Sequence, residues 1–91
     1  MKTRGENIDV VIVPEGYGPT LMRVVRALEK AKEKHPVYAS GKYQALGVIG
    51  EEYEEFRTAI EKETDERAEA ECLDVIATCM RFLLKDHIPT E

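Results

Sequence analysis

Apolar residues recur along this chain at steps of three and four, the spacing of one face of an α-helix. Leu21, Val24, Val25, Leu28 and Ala31 predict a first helix over about 20–34, with Lys30, Lys32 and Lys34 suiting the negative end of its dipole. Pro36 ends it, and 35–41 reads as a loop. Leu46, Ile49, Tyr53, Phe56 and Ile60 then alternate steps of three and four, an amphipathic stripe on a second helix over about 42–62. Gly47 and Gly50 lie inside that helix, where each costs roughly 1 kcal/mol against Ala, so another helix or a ligand is expected to approach closely there. Thr64 or Asp65 caps a third helix that runs to about Lys85 and opens with acidic residues. From Ala68 to Leu84 its apolar positions cover nearly the whole circumference, the pattern of a buried central helix. So few helices cannot easily surround it, and oligomerisation is expected.

The residues ahead of these helices read differently. Met1 to Asn7 is polar, Ile8 to Val13 is β-branched enough for a short strand or extended arm, and Pro14, Gly16, Gly18 and Pro19 break the chain. A lone strand would find its partner only in a neighbouring subunit. The expected fold is therefore all-α: 1–19 an N-terminal arm and turn, 20–91 a single three-helix domain completed by oligomerisation.

Composition narrows the function classes. A chain of 91 residues is one small domain, and 13 Lys and Arg against 18 Asp and Glu leave it at −5. An acidic chain is a poor holder of nucleic acid by its phosphates. No apolar run approaches the ~20 residues of a membrane span and no basic-then-apolar leader opens the sequence, so a soluble, cytoplasmic protein with no membrane partner is expected. Cys72 and Cys79 sit ~10 Å apart along one helix, too far for a disulfide, and read as small buried hydrophobes.

The charge is unevenly spread: residues 51–74 carry eleven carboxylates against three cations. Glu71 and Asp74 are spaced i, i+3 within the apolar third helix, and Glu52 and Glu55 form the same pair beside the stripe of the second. An antiparallel turn at Glu63-Thr64-Asp65 lets the two pairs meet in a half-buried cleft. Carboxylates so placed cost several kcal/mol unless compensated, and hard divalent cations with oxygen ligands are the fitting partner, Mg²⁺ first and Mn²⁺ as the alternative. A di-iron bundle would need E-x-x-H motifs, which neither His35 nor His87 completes.

Glu51-Glu52-Tyr53-Glu54-Glu55-Phe56, followed fifteen residues on by Glu71-Cys72-Leu73-Asp74-Val75, resembles the E-E-x-x-E … E-x-x-D signature of the MazG-like all-α nucleoside triphosphate pyrophosphohydrolases, whose relatives include dimeric dUTPases and dCTP pyrophosphatases. The resemblance covers about 35–84 and includes the aromatic loop His35-Pro36-Val37-Tyr38. It implies Mg²⁺-dependent hydrolysis of a (deoxy)nucleoside triphosphate to monophosphate and pyrophosphate by a homodimer or dimer of dimers. It also implies Glu52, Glu55, Glu71 and Asp74 as metal ligands and catalytic residues. Glu52 and Glu55 are preferred to Glu51 and Glu54 because Phe56 supplies the apolar residue after the second Glu of the motif. Tyr53-Glu54 in place of a small residue, and Tyr38 where many relatives carry Trp, are departures that bear on substrate choice.

The same residues admit the chemistry. Metal ions neutralise phosphate oxygens and activate a water, and a spare carboxylate accepts its proton. Lys42 and Arg81 are candidate phosphate cations and Tyr38 a candidate base-stacking ring, each set against a reading as solvated charge or core packing. Lys34 and Tyr43 carry the same two readings. The runner-up function is a non-catalytic helical module of the same fold that binds nucleotide or a protein partner, and an acidic structural bundle is a third.

Overall fold

The computed structural model describes residues 12–86. Three helices follow one another: α1 (Gly18–Lys34), α2 (Lys42–Lys62) and α3 (Asp65–Leu83). No strand forms among the described residues; of the segment read as a possible strand, 8–11 lies outside them, and Ile12 and Val13 are exposed and irregular. The architecture is all-α, as expected, and no helix among the described residues is long and apolar enough to cross a membrane.

Local chemistry sets the helix ends. Gly16 takes a φ of 92°, which an L side chain resists, and the turn it closes lets Tyr17 N–H donate to Pro14 O at 3.2 Å. Pro19 then sits in the first turn of α1, where its missing N–H goes unneeded, so the helix opens two residues before the expected start at Thr20. Thr64 caps α3 by accepting from the Arg67 N–H at 3.2 Å, with Asp65 and Glu66 in the first turn. α3 stops at Leu83, short of Lys85, which turns to a positive φ of 65°.

Both α1 and α2 pack on α3 and make no contact with each other. The two-residue link Glu63-Thr64 folds α2 and α3 into an antiparallel hairpin. α1 runs parallel to α3: Arg23 meets Glu69 at 2.8 Å near the start of both helices, and Arg81 reaches the Ala31 and His35 carbonyls at 3.3 and 2.7 Å near the end of both. The loop 35–41 crosses α3 near its C-terminal end, pinned where the Tyr38 hydroxyl donates to Thr78 O at 2.9 Å. Tyr38, Ala39 and Ala45 form the small core there, with Val48 and Phe82 against it.

Burial divides the expected stripe of α2. The buried and half-buried residues of α2 are Ala45, Val48, Ile49, Glu52, Phe56 and Ala59, with Ala45 and Ala59 almost fully buried. Leu46, Tyr53 and Ile60 are 66%, 51% and 62% exposed. At 100° per residue Leu46, Tyr53 and Ile60 are centred about a quarter turn from the seam, and Ile49 and Phe56 lie between. Ala45 and Ala59 let α2 approach α3, Ile49 and Phe56 of the stripe stay half-buried, and Leu46, Tyr53 and Ile60 face away. The close approach expected at the α2 glycines does not come from this chain's own helices: a Cβ placed on Gly47 or Gly50 meets nothing within 4 Å among the described residues. α3 is central, as expected, but not enclosed: Ile76, Leu83 and Leu84 are exposed, Cys72 and Cys79 half-buried and free. Among the described residues no large side chain is fully buried.

Candidate functional site: a cleft with an acidic wall

Because α1 and α2 flank α3 without touching, a cleft of about 960 Å³ opens between them. The α2–α3 side is acidic. Glu52 and Glu55 come from successive turns of α2 and Glu71 from the facing turn of α3, and one carboxylate oxygen of each lies within 4.8 Å of the others. The i, i+3 spacing puts the α2 pair on one face, and the short hairpin sets Glu71 opposite. The structure thus brings together three of the four carboxylates singled out in the sequence. Asp74 lies outside the trio but close enough to act electrostatically on both Glu52 and Glu71. Glu51 lines the cleft, whereas Glu54 is held away by Arg57, which also takes Glu61 at 3.0 Å.

The cluster is under electrostatic strain. Burial first, then the charges of Glu55, Asp74, Glu71 and Glu51, push the Glu52 carboxyl from 4.5 up to about 7. Burial also raises Glu71, followed by the charges of Asp74 and Glu55; Arg67 pulls it back, and a hydrogen bond that its protonated form shares with Glu55 adds to the rise. Glu71 is only 8% exposed. Its Oε2 accepts from Arg67 at 2.6 Å, but its Oε1 is buried and accepts from no donor among the described residues. A buried carboxylate oxygen without a donor costs about 1–3 kcal/mol, more when charged. A hard cation is the group such an oxygen fits, because three convergent carboxylates offer an all-oxygen donor set.

The other singled-out residues fall into different roles. Tyr38 and Arg81 both line the cleft, but Tyr38 is largely buried, with its hydroxyl committed to Thr78 and the Arg81 guanidinium 5.0 Å from its ring centre. Arg81 is 3% exposed. It gives hydrogen bonds to the Ala31, His35 and Pro36 carbonyls, and its Nε pairs with Asp86 at 2.9 Å. It thereby satisfies the carbonyl end of α1 and fastens it to α3. Lys42 and Tyr43 are exposed together, the ammonium 5.3 Å from the ring centre, and neither lines this cleft.

Sequence reasoning missed the opposite wall. Arg23, Arg26 and Lys30 of α1 line the cleft beside Lys34. Their spacing was legible, but their position across from the carboxylates depends on how α1 sits on α3. No protein-family model matches the chain, and no curated protein and no solved structure matches it.

Proposed function

We propose that the cleft is a metal-dependent hydrolytic site that cuts a (deoxy)nucleoside triphosphate between its α and β phosphates, releasing monophosphate and pyrophosphate. The observation that carries this reading is the Glu52, Glu55 and Glu71 trio with the donorless, buried Oε1 of Glu71. Those three side chains would hold Mg²⁺ or Mn²⁺, and the bound ion supplies charge neutralisation at phosphate oxygens and an acidified water. Asp74, beside the trio and exposed, is the carboxylate left to accept a proton. In the reaction a water oxygen bonds to the α phosphorus and the bond to the bridging oxygen breaks. Pyrophosphate leaves with the electron pair, and the water's proton passes to Asp74. Arg67 steadies Glu71 through Oε2, leaving Oε1 for the ion. Arg81, also in the cleft lining, spends its donors on the end of α1 and on Asp86 and so positions α1.

A second copy of the chain belongs to this reading. Leu46, Tyr53 and Ile60 leave a large apolar stripe in water, and none of them lines the cleft. A homodimer, or a dimer of such dimers, covers that face while both clefts stay open. A cytoplasmic location suits a nucleotide substrate.

Product analysis tests the function directly. A panel of ribo-, deoxyribo- and modified triphosphates with Mg²⁺ is expected to yield monophosphate plus pyrophosphate from at least one, lost in Glu71→Gln. Diphosphate plus phosphate would overturn the cleavage site. Mg²⁺-dependent nucleotide binding without turnover would assign the cleft to a non-catalytic binding module.

A further inference from the structure

The α1 side of the cleft carries a row of cations that the hydrolytic reading leaves unused. Arg23, Arg26, Lys30 and Lys34 follow one another at three, four and four residues, one stripe of the helix, and all four line the cleft. At 1.5 Å per residue the row from Arg23 to Lys34 is about 16 Å long. Ala27 and Ala31, also in the lining, leave room beside it. Arg23 is committed to Glu69 at 2.8 Å. Arg26, Lys30 and Lys34 have no ion pair or hydrogen-bond partner among the described residues.

That is an unexpected arrangement for a chain at −5 with 18 carboxylates. Neighbours at i, i+4 of like charge destabilise a helix, and this row holds two such pairs, Arg26 with Lys30 and Lys30 with Lys34. The dipole at the C-terminal end accounts for Lys34, and Glu29 and Glu33 stand at i+3 from Arg26 and Lys30 without forming an ion pair to either. Nor do the cations neutralise the acids opposite, since no ion pair spans the cleft from this row to Glu51, Glu52, Glu55 or Asp74. Two walls of opposite sign face each other across open space. A ligand that satisfies both must offer anionic oxygens to one and, through a cation, to the other.

We propose that Arg26, Lys30 and Lys34 form a polyphosphate-binding wall, so that the cleft takes a linear phosphoanhydride chain laid along α1, while Glu52, Glu55 and Glu71 would hold a cation on the other side of the cleft. A single phosphate spans only part of such a row; a chain of phosphates engages all of it. The half of this assignment that concerns the acidic wall rests on the function proposed above, while the basic wall stands on its own residues.

Calorimetric titration of the full chain with sodium tripolyphosphate and with orthophosphate, each with and without Mn²⁺, tests it. Tripolyphosphate binds more tightly than orthophosphate. Lys30→Gln weakens it about tenfold, the loss expected for one charged hydrogen bond. Lys32→Gln, which removes the same charge from the same helix outside the cleft, leaves binding within about twofold. Gln keeps the helix propensity of Lys, so circular dichroism of the two variants coincides. Equal losses in both variants, no loss in either, or orthophosphate binding as tightly as tripolyphosphate would overturn the proposal. Mn²⁺ alone separates it from the hydrolytic reading. If the wild type fails to bind Mn²⁺ yet binds tripolyphosphate through Lys30, the acidic-wall reading fails and the basic wall stands. If Mn²⁺ binds equally to wild type and Lys30→Gln while tripolyphosphate ignores the substitution, the basic wall fails alone.

Discussion

Replacing Glu52 by Gln should stabilise the metal-free protein, and the gain should depend on pH. The folded state raises this carboxyl from 4.5 to about 7, with burial the largest cause and Glu55 the next. Between those values the native chain keeps a proton that the unfolded chain has released. Stability therefore falls as pH rises through the window, and the full cost is present above about 7. At ~1.36 kcal/mol per unit the gap sets an unscreened ceiling of about 3.4 kcal/mol. Glu52 is only half-buried, so water screens its neighbours and about 1–2 kcal/mol is the realistic size. For a domain of this length that is a rise in melting temperature of roughly 5–15 °C. Thermal melts at about pH 8 and about pH 4, without divalent ions, should show Glu52→Gln ahead at the first and level with wild type at the second. Millimolar Mg²⁺ or Mn²⁺ should then reverse the order at the higher pH. Wild type gains about 2.7 kcal/mol at a hundredfold excess over Kd, and the variant with a broken trio gains little. A Glu52→Gln protein that is less stable than wild type without metal, or more stable by the same amount at both pH values, would refute the electrostatic account of the cluster.

Arg81→Met should cost about 1–3 kcal/mol, because it strips hydrogen bonds from the Ala31 and His35 carbonyls and the ion pair from half-buried Asp86 at once. Urea denaturation would show it, and Arg81→Lys should recover part of the loss. Leu46→Glu combined with Ile60→Lys should convert an assembled protein to monomer without loss of helicity, as read by sedimentation and circular dichroism. A wild type that already sediments as a monomer would remove the second copy from the functional reading.

The helices were legible because each carries a periodic apolar face and punctuation that acts locally. Lys42–Lys62 was bounded by Gly41 and by the Glu63-Thr64 link, and nothing distant disturbs either end. α1 opened earlier than expected because Pro19 breaks a helix in its interior but suits its first turn, and the sequence alone does not say which applies. The orientation of α2 was not legible. Periodicity shows that Leu46, Tyr53 and Ile60 share a face, but not what lies against it. Here the close seam belongs to Ala45 and Ala59, whose small size admits α3; Ile49 and Phe56 stay half-buried at its edge, and Leu46, Tyr53 and Ile60 are turned aside.

That rotation is also what makes the carboxylate cluster. Glu52 lies on the same face as Ala45, Val48 and Ala59, so drawing the small residues onto α3 draws Glu52 against Glu71. Had the large apolar stripe formed the seam, Glu52 would lie at its edge, free to swing into water, and its carboxyl would have less cause to rise. The order and gap of the acids could be read in the chain because both pairs are local, each within one turn of helix. Arg26 and Lys30 belong to a different kind of information. Each looks like an ordinary solvated charge until α1 is seen to lie parallel to α3 and clear of α2. Arg81 is the converse: a cation inside an apolar run suits a ligand or an internal acceptor equally well, and only the carbonyl end of α1, about fifty residues earlier, decides for the second. Removing Arg81 should therefore loosen the α1 wall from α3, whereas removing Lys30 should leave that wall in place and empty of charge. Comparing the two separates the scaffold of the cleft from its affinity for anions.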